Sequence, residues 1–146
     1  MFERGHHRSI ALVLQSLDPA VLARWQCWFG GGTAMALLHG EYREANDIDF
    51  LVSDPEGYRA LRQALGGVHG LTPLVRPGLE LALAREVRTD QYGIRTQVRA
   101  GVSVIKFEIV REARILFEPP GATDVVCGVA TLALVALAAG KLLVNA

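Results

Sequence analysis

Three consecutive glycines, Gly30, Gly31 and Gly32, are followed by Thr33 and a run of good helix formers ending at His39, with Gly40 beyond. Glycine loses more backbone freedom on folding than any other residue and offers no side chain to pack, so such a triplet stops regular structure. What flanks it decides what it joins. Before it, Gln26, Cys27, Trp28 and Phe29 form a compact run rich in strand formers. After it, residues 33–39 favour a helix that Gly40 is placed to end. The unit is strand, glycine turn, helix.

A second strand follows. Residues 47–52, Asp-Ile-Asp-Phe-Leu-Val, alternate polar and apolar and then turn continuously apolar, as an inner strand does where it dips into a core. Side chains alternate across a strand, so Asp47 and Asp49 share one face while Ile48 and Phe50 point to the core. Two carboxylates about 4 Å apart at an effective dielectric near 20 repel by roughly 4 kcal/mol, so such a pair is comfortable only with a cation or proton between them. Magnesium fits, because it takes one or two carboxylates and completes its shell with water and substrate phosphates. The glycine turn supplies the complementary half. Gly31 and Gly32 let backbone approach a phosphate closely, and the free amides and positive dipole at the start of the Thr33 helix favour an anion. The Thr33 hydroxyl either caps the helix or bonds a phosphate oxygen. No Gly-Lys-Ser/Thr follows and the Gly-x-Gly-x-x-Gly spacing is missing, which excludes a Walker loop and a dinucleotide fingerprint.

A third acid comes from residues 102–110, where Lys106 and Glu108 share a face between apolar Ile105, Phe107 and Ile109. An acid there completes a set that two metal ions use, one lowering the pKa of an attacking hydroxyl and the other stabilising a leaving pyrophosphate. Each piece alone has an ordinary structural explanation: a solvated strand face, a tight turn, a surface pair. The order strand, Gly-Gly-Thr, helix, Asp-x-Asp strand, later acid is what carries the functional reading.

The remaining chain reads as support. Residues 8–17 place Ile10, Leu12, Val13 and Leu17 at helical intervals, and Asp18 with Pro19 caps and starts a second short helix to residue 23. Asp54, Pro55 and Glu56 repeat that signature for a helix to residue 65, stopped by Gly66 and Gly67. Residues 66–78, with four glycines and two prolines, form a loop or a mobile flap. Residues 81–88, 94–99 and 102–110 make a three-strand meander, and residues 131–145 a strongly apolar helix preceded by a strand or turn near Gly128. Residues 125–140 carry no charge but are too few to span a membrane, which needs roughly 20 apolar residues. With 146 residues, 51% of them hydrophobic, residues 1–146 make a single domain of the α/β (α+β) class.

Fifteen basic and fifteen acidic side chains cancel, so net charge selects no partner. Only Lys106 and Lys141 are lysines, a bias that fits codon usage more readily than selection for bidentate phosphate binding. Arg95, Gln97 and Arg99 share a strand face that is either solvated or an RNA surface. Cys27 and Cys127 lack zinc-type spacing, and the polar start at residues 1–8 is no secretion signal, so a reducing cytoplasm is the expectation.

The segments FGGGTAMALLHGEYREANDIDFLV, VSVIKFEIVREARI and TLALVALAAGKLLVNA together resemble the nucleotidyltransferase superfamily typified by DNA polymerase beta, and more closely its AbiEii/AbiGii-type toxin branch from toxin–antitoxin and phage-defence systems. The resemblance implies a mixed, mainly antiparallel sheet flanked by helices. It implies Gly31, Gly32 and Thr33 near a triphosphate, and Asp47 and Asp49 on one or two Mg2+ ions. Glu108 matches the third acidic position, where many members have Asp, and Lys141 a lysine taken to contact the nucleotide. The implied activity is transfer of a nucleotide from a nucleoside triphosphate to an RNA, such as tRNA, or to a protein acceptor, with a cognate antitoxin as partner. Relatives usually continue past KLLVNA into a longer helical region. The C-terminal helix is therefore expected to be truncated, leaving an apolar surface for a homodimer or a partner protein. Two readings follow: an enzyme in which Lys106 or Lys141 holds phosphate, and a non-catalytic module that binds a nucleotide or partner.

Overall fold

The computed structural model describes residues 5–30, 37, 47–67, 69–112, 125–126 and 129–130. The first helix, α1 (Gly5–Ser16), buries Ile10, Val13 and Leu14 along one stripe that continues to Leu17, whereas Leu12, expected in that stripe, is exposed because it falls on the opposite side of the helix from Ile10. Asp18 then accepts a hydrogen bond from the Ala20 amide at 3.0 Å, and Pro19 opens α2 (Pro19–Arg24). The strand expected from Gln26 begins two residues later, as β1 (Trp28–Gly30). Gln26 has φ of 52°, and the Cys27 amide donates back to the Leu22 carbonyl at 2.9 Å, so these two residues close the helix before the strand can start.

After β2 (Asp47–Val52), Asp54 caps α3 (Pro55–Leu65) by accepting from the Gly57 amide at 2.9 Å. Gly57 is required for a packing reason, because a Cβ there would collide with the Trp25 carbonyl oxygen at the end of α2. Gly57→Ala is expected to cost about 1–3 kcal/mol, the range for overpacking, and Asp54→Ala about 1 kcal/mol for the lost cap. Urea denaturation measures both, and a Gly57→Ala protein as stable as the parent would refute the close approach of the two helices.

The 66–78 stretch is a loop and not a flap. It contains a 3-10 turn, Thr72–Leu74, with Leu71 and Leu74 buried in the core. Backbone bonds tie it to the end of α1: Asp18 N to Leu74 O at 2.8 Å and Arg76 N to Ser16 O at 2.9 Å. Its glycines and prolines set the turns, while its two leucines anchor it.

Then β3 (Ala82–Thr89), β4 (Gly93–Ala100) and β5 (Ser103–Arg111) form the expected meander, and the five strands lie in the order β1-β2-β5-β4-β3. Only β2 and β5 are parallel; the other pairs are antiparallel, giving the mixed, mainly antiparallel sheet. One face is the core. There Phe29, Phe50 and Phe107 stack across three strands with centroids 5.7 and 5.6 Å apart, beside Ile48, Ile94, Val98, Ile105 and Ile109, and the helices close over them. Cys27 is buried there too, and burial pushes its thiol pKa up, which makes it inert.

A short hairpin, β6 (Val125–Val126) and β7 (Val129–Ala130), fits the strand or turn expected near Gly128, and β7 lies beside β1 and α2. Of the helix expected over 33–39, Leu37 is described, and it is helical and buried in the core; the apolar helix over 131–145 and Cys127 lie outside the described residues. Among the described residues no helix is long and apolar enough to cross a membrane.

Candidate functional site

The sheet face opposite the phenylalanines is polar, and strand register organises it into two rows. One row runs Gly30, Asp49, Glu108, Arg95, Arg88 across all five strands. The next runs Asp47, Lys106, Gln97, Arg85. Residues paired in this way on adjacent strands sit roughly 5 Å apart at their backbones, close enough for side chains to interact. Acids are thus gathered over β2 and β5, and arginines over β4 and β3.

The parallel register sets Asp49 beside Glu108, while the alternation of β2 keeps Asp47 on the same face. This crowding is costly. The Asp49 carboxyl is pushed up to about 6, first by burial and then by the charges of Glu108 and Asp47, with Lys106 pulling the other way. A carboxylate in that position gains from a cation. Lys106 provides part of one: its Nζ lies 3.6 Å from Glu108 Oε1, the lysine 59% exposed and the glutamate 23%. That pair runs along one strand, as the shared face required.

Among the described residues, no three acidic, histidine or cysteine side chains converge into a ready coordination shell. The donors suited to a hard divalent ion are Asp47 and Asp49, with Glu108 drawn toward Lys106 instead. Two carboxylates suffice for magnesium when water and substrate oxygens complete its shell, so the residues present fit the ion.

Gly31, Gly32, Thr33 and Lys141 lie outside the described residues. Gly30 does not: it ends β1 directly opposite Asp49, so the chain leaves that strand beside the acid pair. Arg95, Gln97 and Arg99 share the acid-bearing face as expected. Arg95 is paired with Asp90 at 3.2 Å, with both side chains about half exposed. Arg85 and Arg88, which extend the two rows, went unnoticed in the sequence. Register irregularities between Leu83 and Arg88 break the simple alternation that would have flagged them.

The family model for the nucleotidyl transferase AbiEii toxin of type IV toxin–antitoxin systems matches residues 13–146. The chain belongs to the AbiEii nucleotidyltransferase toxin family. Two solved structures share its fold. One is a Helicobacter pylori protein described as a candidate nucleotidyltransferase, 14% identical, with a TM-score of 0.50 over 92% of this chain and 55% of that one. The other is JHP933 from Helicobacter pylori, also 14% identical, with a TM-score of 0.50 over 96% of this chain and 57% of that one. This AbiEii-family chain therefore spans little more than half the length of the solved proteins it matches. No curated protein matches it. The family agrees with the resemblance carried by the glycine turn and the acid pair, and the nucleotidyltransferase fold with the mixed sheet.

Proposed function

We propose that the chain carries a magnesium-dependent nucleotidyl-transfer site that moves a nucleotide from a nucleoside triphosphate to an RNA or protein acceptor, as the toxin component of a system with a cognate antitoxin. The observation that carries this reading is the register that sets Asp49 beside Glu108, with Asp47 on the same face and the Asp49 carboxyl pushed up to about 6. Asp47 and Asp49 are the metal ligands. A bound divalent ion would supply charge neutralisation on the triphosphate and a lowered pKa for the attacking hydroxyl. Glu108 is the third acid, poised as a ligand or as acceptor of the hydroxyl proton once released from Lys106. Lys106, projecting from the same face, offers its ammonium to phosphate oxygens. Gly31, Gly32, Thr33 and Lys141 complete the nucleotide site in this proposal.

The test is incubation with α-labelled nucleoside triphosphates, Mg2+ and either total RNA or cell lysate. Label should enter one acceptor class and disappear with chelator. Because a proton competes with the ion at Asp49, apparent Mg2+ affinity should fall about tenfold per unit of pH below about 6. An affinity unchanged between pH 5 and pH 7.5 would remove Asp49 from the metal site.

One observation favours a second reading, a module that binds nucleotide without turnover. Glu108 is engaged by Lys106, and the three acids do not converge into one shell among the described residues. Calorimetric binding of a nucleoside triphosphate, with no labelled acceptor under any condition, would select that reading.

A further inference from the structure

Away from the acid pair, α3, the β3–β4 turn and the end of β5 enclose a cavity of about 200 Å³ lined by Pro55, Tyr58, Arg59, Arg62, Gln91 and Arg111. Arg111 follows the core-facing parity of Phe107 and Ile109, whereas Asp49 and Glu108 belong to the opposite face. The cavity is therefore separate from the candidate metal site. We infer that it is a second ligand site, which takes the phosphate monoester group of a small molecule.

Three arginines line one small, half-open space, and their carboxylate partners among the described residues are few. Arg62 and Arg111 have no ion pair among the described residues. Arg59 has only Glu56, at 3.7 Å, with side chains 70% and 77% exposed, a contact too solvated to hold it. Asp90, next to Gln91 in the chain, is already occupied: it accepts from the Tyr92 and Gly93 amides at 2.7 and 3.0 Å and pairs with Arg95. Among the described residues, Arg62 and Arg111 thus bring positive charge to the cavity without an ion-pair partner. Planar guanidinium forks match the oxygens of a tetrahedral phosphate, which accepts from several directions at once as a single carboxylate does not.

One wall is preorganised. Tyr58 is only 4% exposed, and its hydroxyl donates to the Asp90 carbonyl at 2.6 Å, locking the turn that carries Gln91 onto α3. The charges of Arg62 and Arg111 act on that phenol and favour its ionised form, as expected for cations near the same turn. The turn is thus ordered before a ligand arrives, while the exposed arginines are ordered by the ligand itself. The volume holds a phosphate and the first atoms attached to it, as a nucleoside monophosphate or a sugar phosphate presents them.

The experiment uses the full chain with chelator present, so that nucleotide cannot enter through a metal at the acid pair. Inorganic phosphate and adenosine 5′-monophosphate are titrated by calorimetry and by amide NMR shifts, against sodium chloride of equal ionic strength. Both phosphates should bind with Kd in the millimolar range or tighter, moving the Gln91 and Arg111 amides. Arg62→Ala and Arg111→Ala should each weaken binding about tenfold or more, and Gln91→Glu, which leaves packing untouched, should weaken it as well. Asp49→Asn should leave it unchanged. Shifts reproduced by chloride, binding indifferent to all three cavity variants, or binding lost in Asp49→Asn would overturn the assignment. So would an RNA oligonucleotide that moves these amides when phosphate and the monophosphate do not.

Discussion

Asp49→Asn is expected to reduce nucleotide transfer about 10³-fold or more while making the metal-free protein more stable at pH 7.5. The loss follows from removing one ligand of an ion whose electrostatic work in the transition state is worth several kcal/mol. The gain follows from the position of the native carboxyl. Its pKa is raised to about 6, so the folded state disfavours its ionised form. Below the unfolded value of 3.8 the group is protonated in both states and costs nothing; as pH rises to about 6 the cost grows, and above that it is complete. The full penalty is about 3 kcal/mol, which an uncharged amide of the same shape avoids. Thermal denaturation in chelator should therefore show the variant melting several degrees higher at pH 7.5 and with no advantage near pH 3.5. Undiminished transfer would dismiss the site, and a variant no more stable than the parent would dismiss the account of the crowded carboxylates.

Phe50→Ala should be the most damaging single change to the fold, costing about 3–5 kcal/mol. Phe50 is fully buried at the centre of the ladder, with Phe29 on one side and Phe107 on the other. Truncation there removes both ring contacts and leaves a cavity that strands held in register on either side cannot collapse to fill. Since domains of this size are stable by roughly 5–15 kcal/mol, such a loss is a large fraction of the whole. Val102→Ala is the control: Val102 is fully exposed in the β4–β5 turn, and its truncation should stay within about 0.5 kcal/mol. Urea midpoints for the two variants that differ by less than about 1 kcal/mol in derived stability would mean that the ladder is not the centre of the core.

Much of the architecture was legible locally. The helices capped by Asp18 and Asp54 end within a residue of the expected positions, because a cap, a first-turn proline and a helical stripe all act within one or two turns of chain. The meander was legible because period-two alternation and turn residues are also local. Where the expectation stayed open or differs from the structure, a distant contact or a competing local one is responsible. Leu71 and Leu74 decide between the loop and the flap that the glycine- and proline-rich stretch left open, by entering a core made by other elements. Gln26 was expected in a strand, but closing α2 against Leu22 takes it into the left-handed region.

The candidate site divides in the same way. That Asp47 and Asp49 share a face, and that Lys106 and Glu108 do, follows from the alternation of a single strand, and sequence determined both. That these two faces are one face, with Asp49 beside Glu108, depends on the parallel register of two strands nearly sixty residues apart. No local preference encodes that register. It is selected by burying Ile48, Phe50 and Val52 together with Ile105, Phe107 and Ile109 on the far side of the sheet, since a one-residue slip would turn either set to the other face. The chain's own pattern named the acids, and the packing of the hydrophobic core beneath them brought them together.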